Sequence, residues 1–257
     1  AEAPTTGRVT AMTELLQVEP AGYPLAAGLF TVGLALVHLF ADRLQFSRVG
    51  RRRWLSVAGG ASVAYVFILL LPEVSEAAAT AGELRGEAFL AEQLLYVAAL
   101  LGFMVFYGVE VFVAHRRTGS VEDDPGVFWF HVIVFTLYSA IIGYLLFHQE
   151  VESPTNLFLY ALAMALHFQV TDYGLDRHHG DQFRRVGRWV LAAGTLVGGV
   201  VGFAAEGPGL GLTLLYGFVA GAIVLNVIKE ELPDIDENRF AAFAVGAFLY
   251  TVVLLLI

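Results

Sequence analysis

The stretch VAGGASVAYVFILLLPE, from Val57 to Glu73, carries no charged residue before its final glutamate. As a helix rising 1.5 Å per residue, it could cross most of the roughly 30 Å hydrocarbon core of a bilayer. Similar runs recur along the 257-residue chain, which is 57% hydrophobic and 15% charged. A soluble domain carries about 25% charged residues. Because these runs are continuous and do not alternate, the sequence predicts an all-α polytopic membrane bundle and excludes a barrel.

Eight apolar runs predict eight transmembrane helices, at 22–41, 54–73, 91–114, 127–148, 155–174, 187–205, 209–230 and 239–257. The polar residues 1–20 are expected to form an N-terminal extracytoplasmic segment, ahead of one eight-helix transmembrane domain over 21–257. The chain has no cysteine, so disulfides and thiolate metal sites are excluded. No pattern typical of nucleic-acid binding is present. The expected surroundings are a lipid bilayer, and the pattern is compatible with a homodimer.

The connections between the predicted helices alternate in charge. Three connections are rich in arginine, with Arg43, Arg48, Arg51, Arg52 and Arg53 in the first, Arg116 and Arg117 in the third, and Arg177, Arg184, Arg185 and Arg188 in the fifth. The connections between them are mainly acidic. The positive-inside rule places the arginine-rich connections in the cytoplasm and both termini outside. We therefore expect an integral protein of the cell membrane, in a prokaryote.

A weak internal repeat links the second and seventh predicted helices. The second ends in LLLPEVSE (Leu69–Glu76) and the seventh in EELPDIDE (Glu230–Glu237), and both are leucine–proline–acid endings. The two helices are predicted to run in opposite directions, so the repeat is inverted, as in many secondary transporters. The alternative is that proline commonly ends helices and acids commonly follow it.

Eight spans, outward termini and these two endings together resemble the ZIP family of divalent-metal transporters. The second span, Val57–Glu73, is similar to the small-residue-rich second helix of that family. The third span, LLGFMVFYGVEVFVAHRR (Leu100–Arg117), resembles the third and carries Glu110 near its cytoplasmic end. The seventh, GFVAGAIVLNVIKEELPD (Gly217–Asp234), resembles the seventh. The resemblance implies a 3+2+3 inverted-repeat arrangement and inward transport of zinc, iron or manganese.

The family places its metal site on the fourth and fifth helices, where this sequence departs from the pattern. The family's fourth-helix motif, His-Asn-x-x-Asp-Gly, is matched by YSAIIG, with Tyr138, Ser139, Ile142 and Gly143 at those positions. The fifth-helix motif, His-Glu-x-Pro-His-Glu, is matched by HFQVTD, with His167 and Asp172 retained in kind and Thr171 replacing the second histidine. By resemblance, His167 and Asp172 are what remains of a binuclear metal site.

One histidine and one aspartate are too few for zinc, which is usually held by about four ligands. Residues five apart on a straight helix also point about 140° away from each other. Other helices would therefore have to contribute. Polar residues predicted in the cytoplasmic half, which could line a vestibule, are His38, Glu110, His131, Asn226 and Glu230. The opposite half offers only Glu73, at the end of the second span. Tyr138 and His167 are predicted at similar depth, where a hydrogen bond would satisfy both.

Two hypotheses follow for function. The first is a secondary carrier that moves a divalent cation toward the cytoplasm, with the metal as substrate and no covalent cofactor. The second is a protein that keeps the ZIP fold without the metal chemistry, as a carrier of another solute or as a regulatory or scaffold subunit. It predicts a closed apolar midsection at Ile141, Ile142 and Phe168.

Two further classes of protein are disfavoured. Lys229 is the only lysine, and a retinal-binding lysine should lie in the middle of the bundle and not beside Glu230 and Glu231. The predicted helices carry no catalytic motif of an intramembrane hydrolase, so we expect no enzymatic activity.

Overall fold

The computed structural model describes residues 23–40, 48–72, 75–76, 88–117, 125–148, 154–205, 209–231 and 240–256. Within these ranges the chain folds into eight α-helices and contains no strand. The helices are α1 (Tyr23–Phe40), α2 (Arg48–Tyr65), α3 (Ala88–Arg117), α4 (Pro125–Leu145), α5 (Pro154–Gln182), α6 (Arg188–Ala204), α7 (Gly209–Asn226) and α8 (Phe240–Leu256). Prolines open α4 and α5, where the missing backbone N–H costs no hydrogen bond.

Three of these helices continue into a wider π-helical turn. These turns are Val66–Leu70 after α2, Phe183–Gly187 after α5 and Val227–Glu231 after α7. The π-helix is rare and occurs mostly as single turns, frequently at functional sites. The predicted segment 1–20 lies outside the described residues.

The prediction of an all-α membrane protein is confirmed for the described part of the chain. Six helical stretches are long and apolar enough to cross a bilayer, namely Tyr23–Phe40, Arg53–Leu70, Gln93–Arg116, Pro125–Leu145, Thr155–Ala204 and Gly211–Lys229. The fifth stretch has 50 residues and includes both α5 and α6, while Phe240–Leu256 is apolar but shorter. Eight separate crossings and their orientation therefore stay predictions.

The junction between α5 and α6 differs from the predicted connection. The sequence predicts that the fifth span ends at 174 and the sixth begins at 187, but α5 continues to Gln182 and passes through a π-helical turn into α6. Gly180 has φ 52° and ψ −126°, which bends the chain inside α5. Glycine adopts this positive φ without the steric penalty of a Cβ. The bend therefore requires no separate loop.

Helices of the bundle pack most extensively as three pairs, α3 with α7, α4 with α6, and α2 with α8. The α1 helix packs on α6, and α5 packs against both α1 and α2. Much of α5 is buried, including Tyr160, Met164 and Phe168. Large apolar side chains of α3 and α8 are exposed, among them Leu100, Leu101, Met104, Phe248 and Leu256. Such a surface suits lipid and would be unusual on a soluble monomer.

Glycines set the closest approaches in all three pairs, and in the α4–α6 pair a Cβ on Gly143 or Gly198 would clash with a carbonyl of the facing helix. In the α2–α8 pair, a Cβ on Gly60 would clash with the Phe243 carbonyl, and one on Gly246 with the Val57 carbonyl. Backbones come this close in membranes where small residues line the interface, which strengthens van der Waals packing.

The α3–α7 pair repeats the same contacts in the same register. A Cβ on Gly221 would clash with the Ala99 carbonyl, and one on Gly102 with the Phe218 carbonyl. Aligning Pro72 with Pro233 places Gly60 on Gly221 and Val57 on Phe218. Aligning α8 with α3 so that Gly246 lies on Gly102 also places Phe243 on Ala99. One alignment of each helix thus relates both reciprocal contacts.

The same alignment relates the π-helical turns of α2 and α7. It places Val66–Leu70 on Val227–Glu231, residue for residue. The two leucine–proline–acid endings are therefore preceded by the same backbone irregularity.

The C-terminal end of α4 is held by hydroxyl groups from three other helices. Tyr23 of α1 donates to the Leu146 carbonyl at 2.8 Å, Tyr160 of α5 to that of Ile142 at 3.3 Å, and Tyr216 of α7 to that of Leu145 at 3.2 Å. The Ile142 and Leu145 carbonyls also accept backbone N–H groups, from Leu146 and His148, and both Leu145 and Leu146 are fully buried. We call Tyr23, Tyr160 and Tyr216 the tyrosine cap.

Candidate functional site

The α4 and α5 helices, on which the sequence predicts the remains of a metal site, meet at Tyr138 and His167. The Tyr138 hydroxyl lies 3.0 Å from His167 Nε2, and Thr171 Oγ1 lies 3.4 Å from the same nitrogen. Tyr138 and His167 are essentially fully buried, and Phe106 packs edge-on against the Tyr138 ring. Thr171 lies one turn beyond His167 on the same face of α5. We call these three residues the tyrosine–histidine contact.

Asp172 points to another helix. His38 Nδ1 lies 2.9 and 3.0 Å from the two carboxylate oxygens of Asp172, so the ring N–H donates to the carboxylate. The side chains of this histidine–aspartate pair are 0% and 1% exposed. The Phe168 ring lies 4.2 Å from the His38 ring, centroid to centroid. Asp172 is therefore not at a hydrated rim, and α5 continues beyond it to Gln182.

A third polar group joins α3, α4, α5 and α7. Glu110 Oε1 lies 3.5 Å from His131 Nε2, within ion-pair distance when the imidazole is protonated. The other carboxylate oxygen of Glu110 contacts the Lys229 ammonium. His131 Nδ1 lies 2.9 Å from His179 Nε2. We call Glu110, His131, His179 and Lys229 the end cluster, since it lies where α3, α5 and α7 end and α4 begins.

A narrow cavity lies between the end cluster and the tyrosine–histidine contact. Its volume of about 10 Å³ is close to the minimum that one water molecule needs. The lining residues are Glu110, His131, Phe135, Val170, Thr171, Gly174, Leu175, His178, Asn226 and Lys229. Thr171 belongs both to the lining and to the tyrosine–histidine contact, so one water could connect the two groups.

The remaining predicted site residues have other surroundings. Ser139 and Ile142 are buried, and Ile142 contributes a carbonyl to the tyrosine cap. A Cβ on Gly143 would clash with the Thr195 carbonyl of α6, so Gly143 serves packing between α4 and α6. Glu73 lies outside the described residues. The backbone of Glu230 belongs to the π-helical turn after α7, and its side chain lies outside the described part.

The described side chains pair with each other and do not gather around a common point. Within the described ranges, no group of three or more histidine, cysteine, aspartate or glutamate residues is placed to hold a metal ion. His167 and Asp172 have different partners, as expected for residues five apart on a helix. A His167 Nε2 lone pair that accepts the Tyr138 hydroxyl hydrogen cannot bind a metal at the same time.

Two members of the end cluster, His179 and Lys229, are not among the predicted site residues. Lys229 was excluded as a retinal-binding residue and assigned no other role, although it lies three residues after Asn226 and lines the same cavity. His179 falls after the predicted end of the fifth span at 174, whereas the structure places it on α5. A signal that could have identified Lys229 is that a sole lysine follows a predicted intramembrane asparagine by about one helical turn.

Neither the protein-family models nor the curated proteins yield a match to this sequence. The ZIP resemblance therefore rests on the order of the motifs along the chain.

Proposed function

We propose that the protein is an integral membrane secondary carrier on a ZIP-like inverted repeat, moving a cation toward the cytoplasm. A divalent metal ion such as zinc, iron or manganese is the first substrate to test. The apolar helices support the membrane part of this proposal.

The observation that carries the proposal is the shared register of the α2–α8 and α7–α3 pairs. One alignment of α2 with α7 and one of α8 with α3 together relate the reciprocal glycine contacts, and the first also relates both π-helical turns. If each intervening helix crosses the bilayer, α2 and α7 run in opposite directions. Many secondary transporters consist of such inverted repeats, with the solute site near their interface.

The polar interior supports a cation as the solute. Asp172 and Glu110 carry carboxylates on predicted transmembrane helices, at 1% and 13% side-chain exposure. Ionisable groups in such helices are expensive and usually mark ion or substrate pathways. Asp172 faces the His38 imidazole and Glu110 faces the Lys229 ammonium, so both positions favour positive charge.

Uptake into proteoliposomes tests the proposal. We expect the wild type to take up at least one of Zn²⁺, Fe²⁺ and Mn²⁺ faster than protein-free liposomes. Asp172→Asn and Glu110→Gln should each lose most of that uptake. Asp181→Asn is the matched control, since Asp181 is on the same helix as Asp172 with a side chain that is 77% exposed and paired with Arg184. Absence of uptake for these metals and for Na⁺ and K⁺ would contradict a cation carrier.

A second candidate is a ZIP-fold protein without transport, acting as a regulatory or scaffold subunit. The closed contact between α4 and α5 favours it, because Ile142 and Phe168 are 0% exposed and Tyr138 faces His167. Crystals soaked in zinc or cadmium separate the two candidates. Anomalous signal between α4 and α5 would exclude the second candidate, and an empty position together with absent uptake would favour it.

A further inference from the structure

The contact between Glu110 and Lys229 connects the paired helices α3 and α7 at one end of the bundle. The Lys229 ammonium contacts Glu110 Oε2, and the side chains are 27% and 13% exposed. Lys229 lies within the π-helical turn Val227–Glu231, which widens the backbone at this position. A partly exposed ion pair contributes little to stability, so stability alone gives weak reason for a charge here.

The internal repeat provides a comparison within the same molecule. The alignment that relates α2 to α7 places Ile68 on Lys229, and the one that relates α8 to α3 places Leu254 on Glu110. The equivalent helix pair therefore keeps the glycine contacts with apolar residues at both positions. The ion pair is thus not needed to hold such a pair of helices together and exists in one half only.

The surroundings of Glu110 offer donors for a bound cation. The adjacent cavity is also lined by His131, Thr171 and Asn226. Asn226 is 3% exposed, and its Nδ2 has no hydrogen-bond partner among the described residues. The two ends of an asparagine amide are nearly indistinguishable in shape, so a turn of the amide would present Oδ1 instead. Carboxylate, amide and hydroxyl oxygens suit Mg²⁺, Ca²⁺ and Mn²⁺, and imidazole accepts transition metals.

We propose that Glu110 is the anionic centre of a cation-binding site and that the Lys229 ammonium is a tethered cation occupying it. An incoming cation displaces Lys229, which releases α7 from α3 at this end of the bundle. When the cation leaves, the lysine returns and restores charge balance at Glu110. The inference rests on the proposed carrier function for its part in transport, but binding at Glu110 can be measured without transport.

Binding of Mn²⁺ to the purified protein in nanodiscs tests the site, with free Mn²⁺ read from its electron paramagnetic resonance signal. Because Lys229→Met removes the competing charge, the dissociation constant of the Glu110-dependent site should fall by at least about tenfold. Lys229→Met combined with Glu110→Gln should lose that gain. Ile68→Met is the matched control at the equivalent position and should bind as the wild type does. An unchanged dissociation constant in Lys229→Met, or a gain that persists without Glu110, would overturn the proposal.

The wild type provides an independent measurement that needs no lysine variant. Lys229 is the only lysine, so an amine-reactive reagent marks Lys229 and the N-terminus alone, and peptide mass spectrometry separates the two. Mn²⁺ should accelerate modification of Lys229 several-fold without changing that of the N-terminus. Glu110→Gln should be modified fast without Mn²⁺. Modification of Lys229 that is indifferent to both changes contradicts a tethered cation.

These readouts separate the failure of this inference from failure of the carrier proposal. Binding that responds to Lys229 and Glu110 without any uptake would support the site and contradict the carrier. Uptake that is unchanged in Lys229→Met, with unchanged Mn²⁺ binding, would support the carrier and contradict the tethered cation.

Discussion

Replacing both members of the histidine–aspartate pair is expected to harm the protein less than replacing His38 alone. His38→Leu leaves the Asp172 carboxylate buried at 2% exposure without the ring N–H that now contacts both oxygens. Leaving one charge of a buried pair uncompensated costs about 3–5 kcal/mol. Replacing both polar groups with apolar ones of similar volume is often close to neutral.

The magnitude of the recovery follows from the geometry. Two oxygens at 2.9 and 3.0 Å from one ring nitrogen indicate a charge-assisted hydrogen bond. Such a bond contributes about 1.5–3 kcal/mol. Adding Asp172→Leu to His38→Leu should therefore raise the free energy of unfolding by at least about 1.5 kcal/mol, roughly tenfold in the unfolding equilibrium constant.

The assay is reversible unfolding in bicelles, measured by steric trapping for the wild type, the two single variants and the double variant. Trp54 and Gln169 form a control pair, because Trp54 Nε1 donates to Gln169 Oε1 at 2.8 Å on the exposed surface. Their coupling should be near 0.6 kcal/mol, the average for hydrogen bonds between membrane helices. A double variant that is less stable than His38→Leu would refute the reasoning, because the carboxylate would then not depend on His38.

Three further predictions concern packing, hydrogen bonding and orientation. Gly246→Val should lower the free energy of unfolding by about 1–3 kcal/mol or more, because its Cβ would meet a backbone carbonyl. Gly108→Val is the control and should be nearly neutral, because a Cβ there would have nothing within 4 Å. Equal effects of the two variants in unfolding assays would contradict the α2–α8 register. Tyr138→Phe keeps the ring but loses the contact at 3.0 Å, so it should cost about 0.6–1.7 kcal/mol, and an undiminished stability would show that the hydroxyl contributes nothing. In this cysteine-free chain, Ala205→Cys should react with an impermeant maleimide on intact cells and Arg185→Cys only after lysis, and the reverse pattern would invert the predicted orientation.

Much of the fold follows from hydrophobicity, because a bilayer imposes one requirement on every crossing segment. Apolar runs near 20 residues predict the eight helices of the described residues, within a few residues at most ends. The main error was at the α5–α6 junction, where the polar run after Gly174 predicts a connection but forms helix up to a bend at Gly180. Polarity marks where a helix leaves lipid, and it does not mark where the helix itself ends.

The candidate site was less predictable, because side-chain pairing depends on the register between helices. Tyr138 and His167 were matched by depth alone, since a helix rises by a fixed amount per residue. The pairing of Glu110 with Lys229 depends on how far α3 slides along α7, which the contacts of Gly102 and Gly221 determine. Amino-acid composition does not determine how far one helix is shifted along another. For the same reason, the sequence does not assign His38 to Asp172.

The tyrosine cap makes the two ends of the bundle unequal in how easily they can open. At the end cluster, charged and imidazole groups surround a water-sized space, where an arriving ion or water can replace each contact. At the other end, phenols from three helices satisfy carbonyls of α4 that are sealed from solvent. Separating the helices there would break three hydrogen bonds at once, each contributing about 0.5–1.5 kcal/mol. Any cycle that exposes α4 to both sides of the membrane should therefore have its slowest step at the tyrosine-capped end, whichever solute is carried.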